Sequence, residues 1–406
     1  MKVAILTLGT QGDVLPFAHL GKAFVKAGHE VIFSSAKNFK SLADEFQLKF
    51  SPVDADFQEL INSEEGKRMM KRPLQAKKNL RKFVFPMLRS ALSTFYSVAA
   101  ESDKVLFHGK TMADCFADQF PEKMIKANVV PAFESTKAFP NPVIGGFRIA
   151  SFFNKMSYKF SDLGYRMMIE PITQFRTTNG LPKKFLKRNI PGIYGISEHF
   201  LKQPGDYPPD NYFTGFWTAP SNATLSEELK SFLNAGPAPL LLTFGSMPFR
   251  SKLDLPQTLN RLTKELNIRL VVAKGWGLHD TTEIDRNPDI HTVPYLPYDA
   301  LLPFVKAAIH HGGIGTIAAC LRAGKPFLSC PVLYPLGDQY FWANIAYKKH
   351  LGPKPLPLKK LTADSLVSGT RQLLSSPDFF HNAELMKTNL LEEDGLGKAV
   401  KLVEGF

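Results

Sequence analysis

The chain predicts an α/β fold built as two doubly wound halves, and three observations carry that prediction. The apolar, β-branched run Lys2–Leu8 is followed by helical spacing over Val14–Ala27, through Phe17, Leu20, Phe24 and Val25, and then by a second strand, Glu30–Ser34, after Gly28. That is a β-α-β unit. The same alternation returns at Leu240–Thr243, Leu253–Leu266, Arg269–Ala273, Ala307–Ile309, Thr316–Ala323 and Pro326–Cys330. Between the two lies Thr218–Pro239, a connector rich in Pro, Ser, Asn and Gly around one short helix. The predicted organisation is residues 1–219, a linker at 220–238 and residues 239–406, with the last helix packing back on the first domain.

Size and composition agree. The 406 residues, 44% of them hydrophobic, suit two cores rather than one. No run approaches the ~20 apolar residues that span a bilayer, and the opening strand meets Gly12 and Asp13 too soon for a signal peptide. Cys115, Cys320 and Cys330 match no disulfide or metal spacing, so the cytoplasm is the expected compartment, with peripheral membrane contact the variant of it. The net charge of +13 favours an anionic partner: a phosphorylated ligand, nucleic acid or an acidic membrane. Its densest basic stretch, Lys67 to Lys82, reads as a solvated helical face or a membrane-surface contact.

The most specific local pattern is His311-Gly312-Gly313-Ile314-Gly315-Thr316, after an apolar strand. Glycine lets the backbone approach a ligand closely, and a helix opening at Thr316 would aim unpaired N–H groups and its positive dipole end at an anion. A diphosphate fits there, with His311 and Thr316 adding hydrogen bonds. A purely structural strand-to-helix turn is the other reading. In Gly9-Thr10-Gln11-Gly12-Asp13-Val14-Leu15-Pro16, Asp13 reads either as a helix N-cap or as a general base for an acceptor hydroxyl. An ordinary aspartate cannot ionise an alcohol beforehand, so proton transfer would accompany bond formation at an oxocarbenium-like centre. Asp338 and Gln339 could grip sugar hydroxyls or simply form a surface loop, and Ser246, ending Thr243-Phe244-Gly245-Ser246, could meet a phosphate. Asp54-Ala55-Asp56 has a metal-diphosphate spacing that short loops often show by chance, and His310 and His311 alternate sides as neighbours on an extended chain. No nucleic-acid stacking motif is evident.

Taken in order, Gly9–Pro16, Thr214–Trp217, Thr243–Ser246, Gly275-Trp276-Gly277, His310–Thr316 and Asp338-Gln339 resemble the family-1 nucleotide-sugar glycosyltransferases, in the branch of sterol and macrolide glycosyltransferases. Residues 60–210 match only loosely. The resemblance implies the GT-B fold, two Rossmann-like domains facing a central cleft, with acceptor bound by the first and donor by the second. It implies an inverting, metal-independent transfer of a hexose, glucose first, from a UDP-sugar co-substrate, with no cofactor. By position it makes Asp13 the base, and Gly12, Ser246, Tyr298, His311, Gly313, Gly315, Thr316, Asp338 and Gln339 donor contacts. Many plant relatives carry Trp-x-Pro-Gln against the nucleobase; this chain has Tyr295-Leu296-Pro297-Tyr298, leaving uridine or thymidine open and stacking to Tyr298.

The expected acceptor is a small lipophilic hydroxyl compound: a phenol, sterol, lipid or other natural product. The aromatic and Met-rich segment Phe152 to Ile169 reads as a plastic lipophilic pocket or as core. The rival readings are a lipid-directed transferase at the membrane surface, a nucleotide-sugar 2-epimerase, and a nucleotide-binding protein without turnover.

Overall fold

The computed structural model describes residues 1–54, 76–185, 189–220, 223–245, 253–275, 281–294 and 298–406. Ser246, Trp276, Gly277, Tyr295 to Pro297, Ala55, Asp56 and the basic residues from Lys67 to Arg72 lie outside that set.

Two separate parallel sheets form. The first holds β1 (Lys2–Leu6), β2 (Glu30–Ala36), β3 (Lys49–Val53), β4 (Lys104–Phe107), β5 (Met124–Asn128), β6 (Gly192–Tyr194) and β7 (Asn211–Phe213), in the order β3-β2-β1-β4-β5-β6-β7. The second holds β8 (Leu240–Thr243), β9 (Leu270–Ala273), β10 (Ile290–Val293), β11 (Ala307–His310) and β12 (Phe327–Ser329), in the order β10-β9-β8-β11-β12. Every pairing is parallel. Covered on both faces, the central strands are apolar throughout rather than alternating: Val3 to Leu6 and Leu240 to Leu242 are buried.

Each chain path runs outward to one side of its first strand and then returns to the other. The reversal falls between β1 and β4 in the first sheet and between β8 and β11 in the second. Loops leaving the C-terminal ends of such neighbouring strands diverge to opposite faces and leave a crevice, where ligands of open α/β sheets bind. Here the loops are Thr7–Thr10 and His108–Thr111 in the first domain, and those after Thr243 and His310 in the second.

The predicted elements exist, with shifted ends. The first helix spans Gln11–Lys26, starting three residues before the expected Val14, because Thr10 and Asp13 form a reciprocal cap. The helix expected from Thr316 spans Ile314–Arg322, since Gly313, extended at φ −67° and ψ 140°, is its N-cap. The short connector helix is Glu227–Asn234. The final helix, Gly395–Gly405, crosses back: Ala399, Val400 and Val403 are buried in the first domain's core, and His29 Nε2 lies 2.8 Å from Glu404.

The segment read as pocket or core is mostly exposed, with three residues turned to the core. Phe152, Phe153, Met156, Phe160, Met167 and Ile169 are exposed, while Tyr158 is buried and Tyr165 and Met168 are half-buried. Among the described residues no helix is long and apolar enough to cross a membrane.

Candidate active site

On the first domain the site is built around Asp13. The N-cap is Thr10, and Asp13, at the third helical position, reaches back with Oδ2 to accept from the Thr10 N–H at 3.0 Å and the Thr10 hydroxyl at 3.3 Å. Gly9, at φ +139°, is required here: a Cβ on it would collide with the Asp13 carboxylate. The other oxygen, Oδ1, accepts from the Lys110 ammonium. Lys110 stands in the loop after β4, one residue past Gly109, whose N–H donates to Asn128 Oδ1 at 3.0 Å. Burial alone would raise the Asp13 pKa, but the charge of Lys110, with His108 behind it, outweighs burial and the net shift is downward.

Lys110 also answers to the second domain. Burial would lower its pKa, yet Asp13 and then Asp338 outweigh that and hold it above the ordinary lysine value. Burial pushes the Asp338 carboxyl up, Lys110 pulls it down, and the net shift is upward. Asp13, Lys110 and Asp338 are therefore one electrostatic group drawn from both domains. Asp338 Oδ2 accepts from the Trp342 indole N–H at 3.0 Å. Gln339 is buried, and its Oε1 accepts from the Val332 and Leu333 N–H groups at 2.8 and 2.9 Å, so its amide NH₂ is the end left for a ligand. The loop before them is docked on the first domain: Gly337 N–H donates to the Val143 carbonyl at 2.6 Å, and Gly146 N–H to that of Pro335 at 3.2 Å.

Facing this group is the glycine-rich turn after β11. Gly312, at φ +83°, turns the chain against the Gln339 carbonyl, and its N–H donates to His310 Nδ1 at 2.9 Å. His310 is thus a buried structural histidine, packed on Phe327 with ring centroids 4.6 Å apart. His311 is different. Its ring sits between Gly245 and Gly313, where a Cβ on Gly245 would come within 2.9 Å of Cε1 and one on Gly313 within 2.5 Å of Nε2. Burial lowers its pKa to about 4, so the imidazole is neutral at pH 7. Its Nδ1 is buried with no hydrogen-bond partner among the described residues. Gly313 brings no capping side chain, so the first amides of Ile314–Arg322, those of Ile314, Gly315 and Thr316, form an anion cradle. A Cβ on Gly315 would meet nothing within 4 Å, so ligand has open room there. Thr316 is buried at the third helical position. Gly12, at the second position of its own helix, is exposed.

Tyr298 opens a short helix, Tyr298–Leu301, and its hydroxyl lies 2.9 Å from Thr243 Oγ1 at the end of β8, which fixes the ring beside the same loops. Asp54 pairs with Lys37 at 3.0 Å in the open. Among the described residues no three His, Cys, Asp or Glu side chains gather as a metal site.

Lys110 is the site residue that the sequence reading missed. It lies 97 residues from Asp13, and only the strand order, with β4 beside β1, brings them together. The available signal was positional: a basic residue just past the strand adjoining the reversal point.

Known proteins resemble this chain in sequence and fold. Residues 3–113 match the glycosyltransferase family 28 N-terminal domain, and residues 240–399 its C-terminal domain. A sterol 3-beta-glucosyltransferase of Arabidopsis thaliana is 27% identical over 98% of this chain and 67% of its own length. The chain spans about two thirds of that relative and 35% of the corresponding enzyme of Saccharomyces cerevisiae. An O-mycaminosyltylonolide 6-deoxyallosyltransferase of Streptomyces fradiae is 26% identical over 100% of this chain and 97% of its own. The solved structure of the glycosyltransferase VinC, in complex with dTDP, superposes with a TM-score of 0.66 at 16% identity, covering 100% of both chains. With both domain models matched in order around a cleft of two parallel-sheet domains, the chain belongs to the family 28 glycosyltransferases, with the GT-B fold.

Proposed function

We propose that this chain transfers a hexose, glucose first, from a UDP-sugar to a hydroxyl of a lipophilic acceptor, with inversion, without metal, and with Asp13 as general base. The observation that carries this reading is the grouping of Asp13, Lys110 and Asp338 at the mouth of the cleft, opposite the cradle of His311 and the Ile314–Arg322 helix end. The relatives are named for sterol and macrolide-type acceptors, which supports a lipophilic alcohol. The dTDP complex of VinC supports a nucleoside diphosphate donor, and in this reading Tyr298 stacks on its base.

In this mechanism the diphosphate lies on the amides of Ile314, Gly315 and Thr316, and His311 donates one N–H to a phosphate oxygen. Asp338 and the Gln339 NH₂ hold sugar hydroxyls. The acceptor oxygen attacks the anomeric carbon as the bond to the diphosphate breaks, and its proton passes to Asp13. Lys110 keeps Asp13 ionised but makes it a weaker base, so the proton moves only as the new C–O bond forms. The leaving diphosphate gains charge where the helix dipole and amides are already aimed, which lowers the barrier without reorganisation.

Calorimetry with UDP-glucose, UDP-N-acetylglucosamine and dTDP-glucose, followed by turnover with sterols, phenols and macrolides, tests the reading. Binding of a nucleotide sugar with transfer to a lipophilic alcohol supports it; conversion of the sugar without any acceptor would favour an epimerase.

A further inference from the structure

The segment from Phe147 to Ile169 has its polarity reversed. The turn Asn154–Ser157 and the helix Lys159–Met167 are joined through Tyr158, which keeps helical backbone at φ −70° and ψ −17°. The residues facing the domain are Asn154, Tyr158, Ser161, Tyr165 and Met168, and the polar ones are tied in. Asn154 Nδ2 donates to the Lys137 carbonyl at 2.9 Å, Asn141 Nδ2 donates to Ser161 Oγ at 2.6 Å, and the Tyr158 hydroxyl donates to the Pro131 carbonyl at 3.3 Å. The residues facing outward are Met156, Phe160, Leu163 and Met167, a spacing that lines one helical face, and all four are exposed. Phe152, 77% exposed, packs against exposed Phe153, with the rings tilted by 40° and centroids 4.0 Å apart, at the end of this stripe. A water-facing helix normally carries the opposite pattern.

The charges beside the stripe are mostly positive. Lys155, Lys159 and Arg166 fall at helical spacing immediately next to it and are exposed, and Arg148 lies at its start; Asp162 is the one acid between residues 147 and 169. An apolar ridge flanked by exposed basic side chains suits the interface of an anionic bilayer, where the rings enter the acyl boundary and the ammonium groups meet phosphates. A protein partner would have to supply both an apolar groove and an acidic rim, whereas such a bilayer supplies both along its whole surface.

We infer that this stripe docks the protein on anionic membranes, with the Phe152–Met167 face buried at the interface. The site differs from the basic stretch at residues 67–82, which the sequence alone read as a solvated helical face or a membrane-surface contact. The segment starts beside the cleft, because Val143 and Gly146, just before it, bond to the loop that carries Asp338. A docked enzyme would therefore present its cleft to the lipid phase. That consequence rests on the glycosyl-transfer reading; the docking itself does not.

The test is co-sedimentation of the full chain with vesicles of phosphatidylcholine, with and without phosphatidylserine, and without any sugar donor. The wild type should sediment with the anionic vesicles and much less with the neutral ones. The double variant Phe152→Ser/Phe160→Ser should lose binding by about tenfold or more. Lys155→Glu/Lys159→Glu should lose the preference for phosphatidylserine, while Lys354→Glu/Lys359→Glu, an equal charge change on the other domain, should keep it. Wild-type protein that stays in solution, or Phe152→Ser/Phe160→Ser that sediments normally, overturns the inference. So does a wild-type dimer in light scattering that this variant makes monomeric without vesicle binding, which would assign the stripe to a second copy of the chain.

Discussion

The Lys110 ammonium pairs directly with Asp13 Oδ1, joining the loops that leave two neighbouring strands at the reversal point of the first sheet. The pair gives the proposed base its charge state. With Lys110 removed, burial acts on Asp13 with less opposition, and its pKa rises. A carboxylate must be ionised to act as a base, so activity is lost as pH falls through that pKa. In Lys110→Met the acid limb of the kcat/KM profile should therefore move up by about one pH unit or more, and Lys110→Arg should restore it. An unmoved acid limb would return the pair to a merely structural role.

His311 is held neutral by burial, with a pKa of about 4. A diphosphate on the neighbouring helix end would favour the imidazolium and raise that pKa on binding. UDP-glucose, whose diphosphate does not titrate between pH 5 and 7, should then bind more tightly as pH falls from about 7 to 5, with proton uptake seen by calorimetry in buffers of different ionisation enthalpy. His311→Ala should weaken binding by about tenfold and abolish the pH dependence. Binding independent of pH in the wild type, with unchanged affinity in the variant, sinks the assignment.

The glycines of the turn separate sterics from backbone strain. Gly313 has φ −67°, which any residue adopts, so Gly313→Ala acts through its Cβ alone, pressed against His311 Nε2. It should cost about tenfold in nucleotide affinity, as His311 is displaced, with about 1 kcal/mol or less lost in stability. Gly315→Ala meets no protein atom, so any loss of affinity there reports ligand in that space. Unchanged nucleotide affinity in both variants would argue against the cradle.

Acid should destabilise the fold well before its carboxylates titrate. Burial lowers the pKa of His19, His108 and His311 to about 4, and holds that of His310 well below its ordinary value. Below the ordinary value of about 6.5 the unfolded chain protonates these rings while the folded one does not, so stability falls as pH drops from about 6.5 towards 4, and these groups add nothing above pH 7. Near pH 5 unfolding should take up about three to four protons from this source, and about one fewer in His19→Phe. A Tm unchanged between pH 7 and 5 would contradict this.

How much was legible follows from sequence distance. The β-α-β units and the glycine turn are local patterns, and Asp13, His311, Gly313 and Thr316 stand where such patterns put them, at strand-to-helix junctions. Helix starts slipped because caps decide them: Thr10 and Gly313 took positions that hydrophobic spacing does not mark. Lys110 was hidden because its partnership depends on strand order. The exposed stripe from Met156 to Met167 misled for another reason. Periodicity reports an apolar face without saying what covers it, and here the polar face packs inward.

Asp13→Asn tests the central claim most directly. The amide oxygen can still accept from the Thr10 N–H, so the helix start survives while the base is lost. Transfer from the nucleotide sugar that binds to a lipophilic alcohol should fall by about 10²- to 10⁴-fold, with donor affinity by calorimetry unchanged. A variant that transfers at near the wild-type rate would contradict Asp13 as the base and leave it a helix-capping carboxylate.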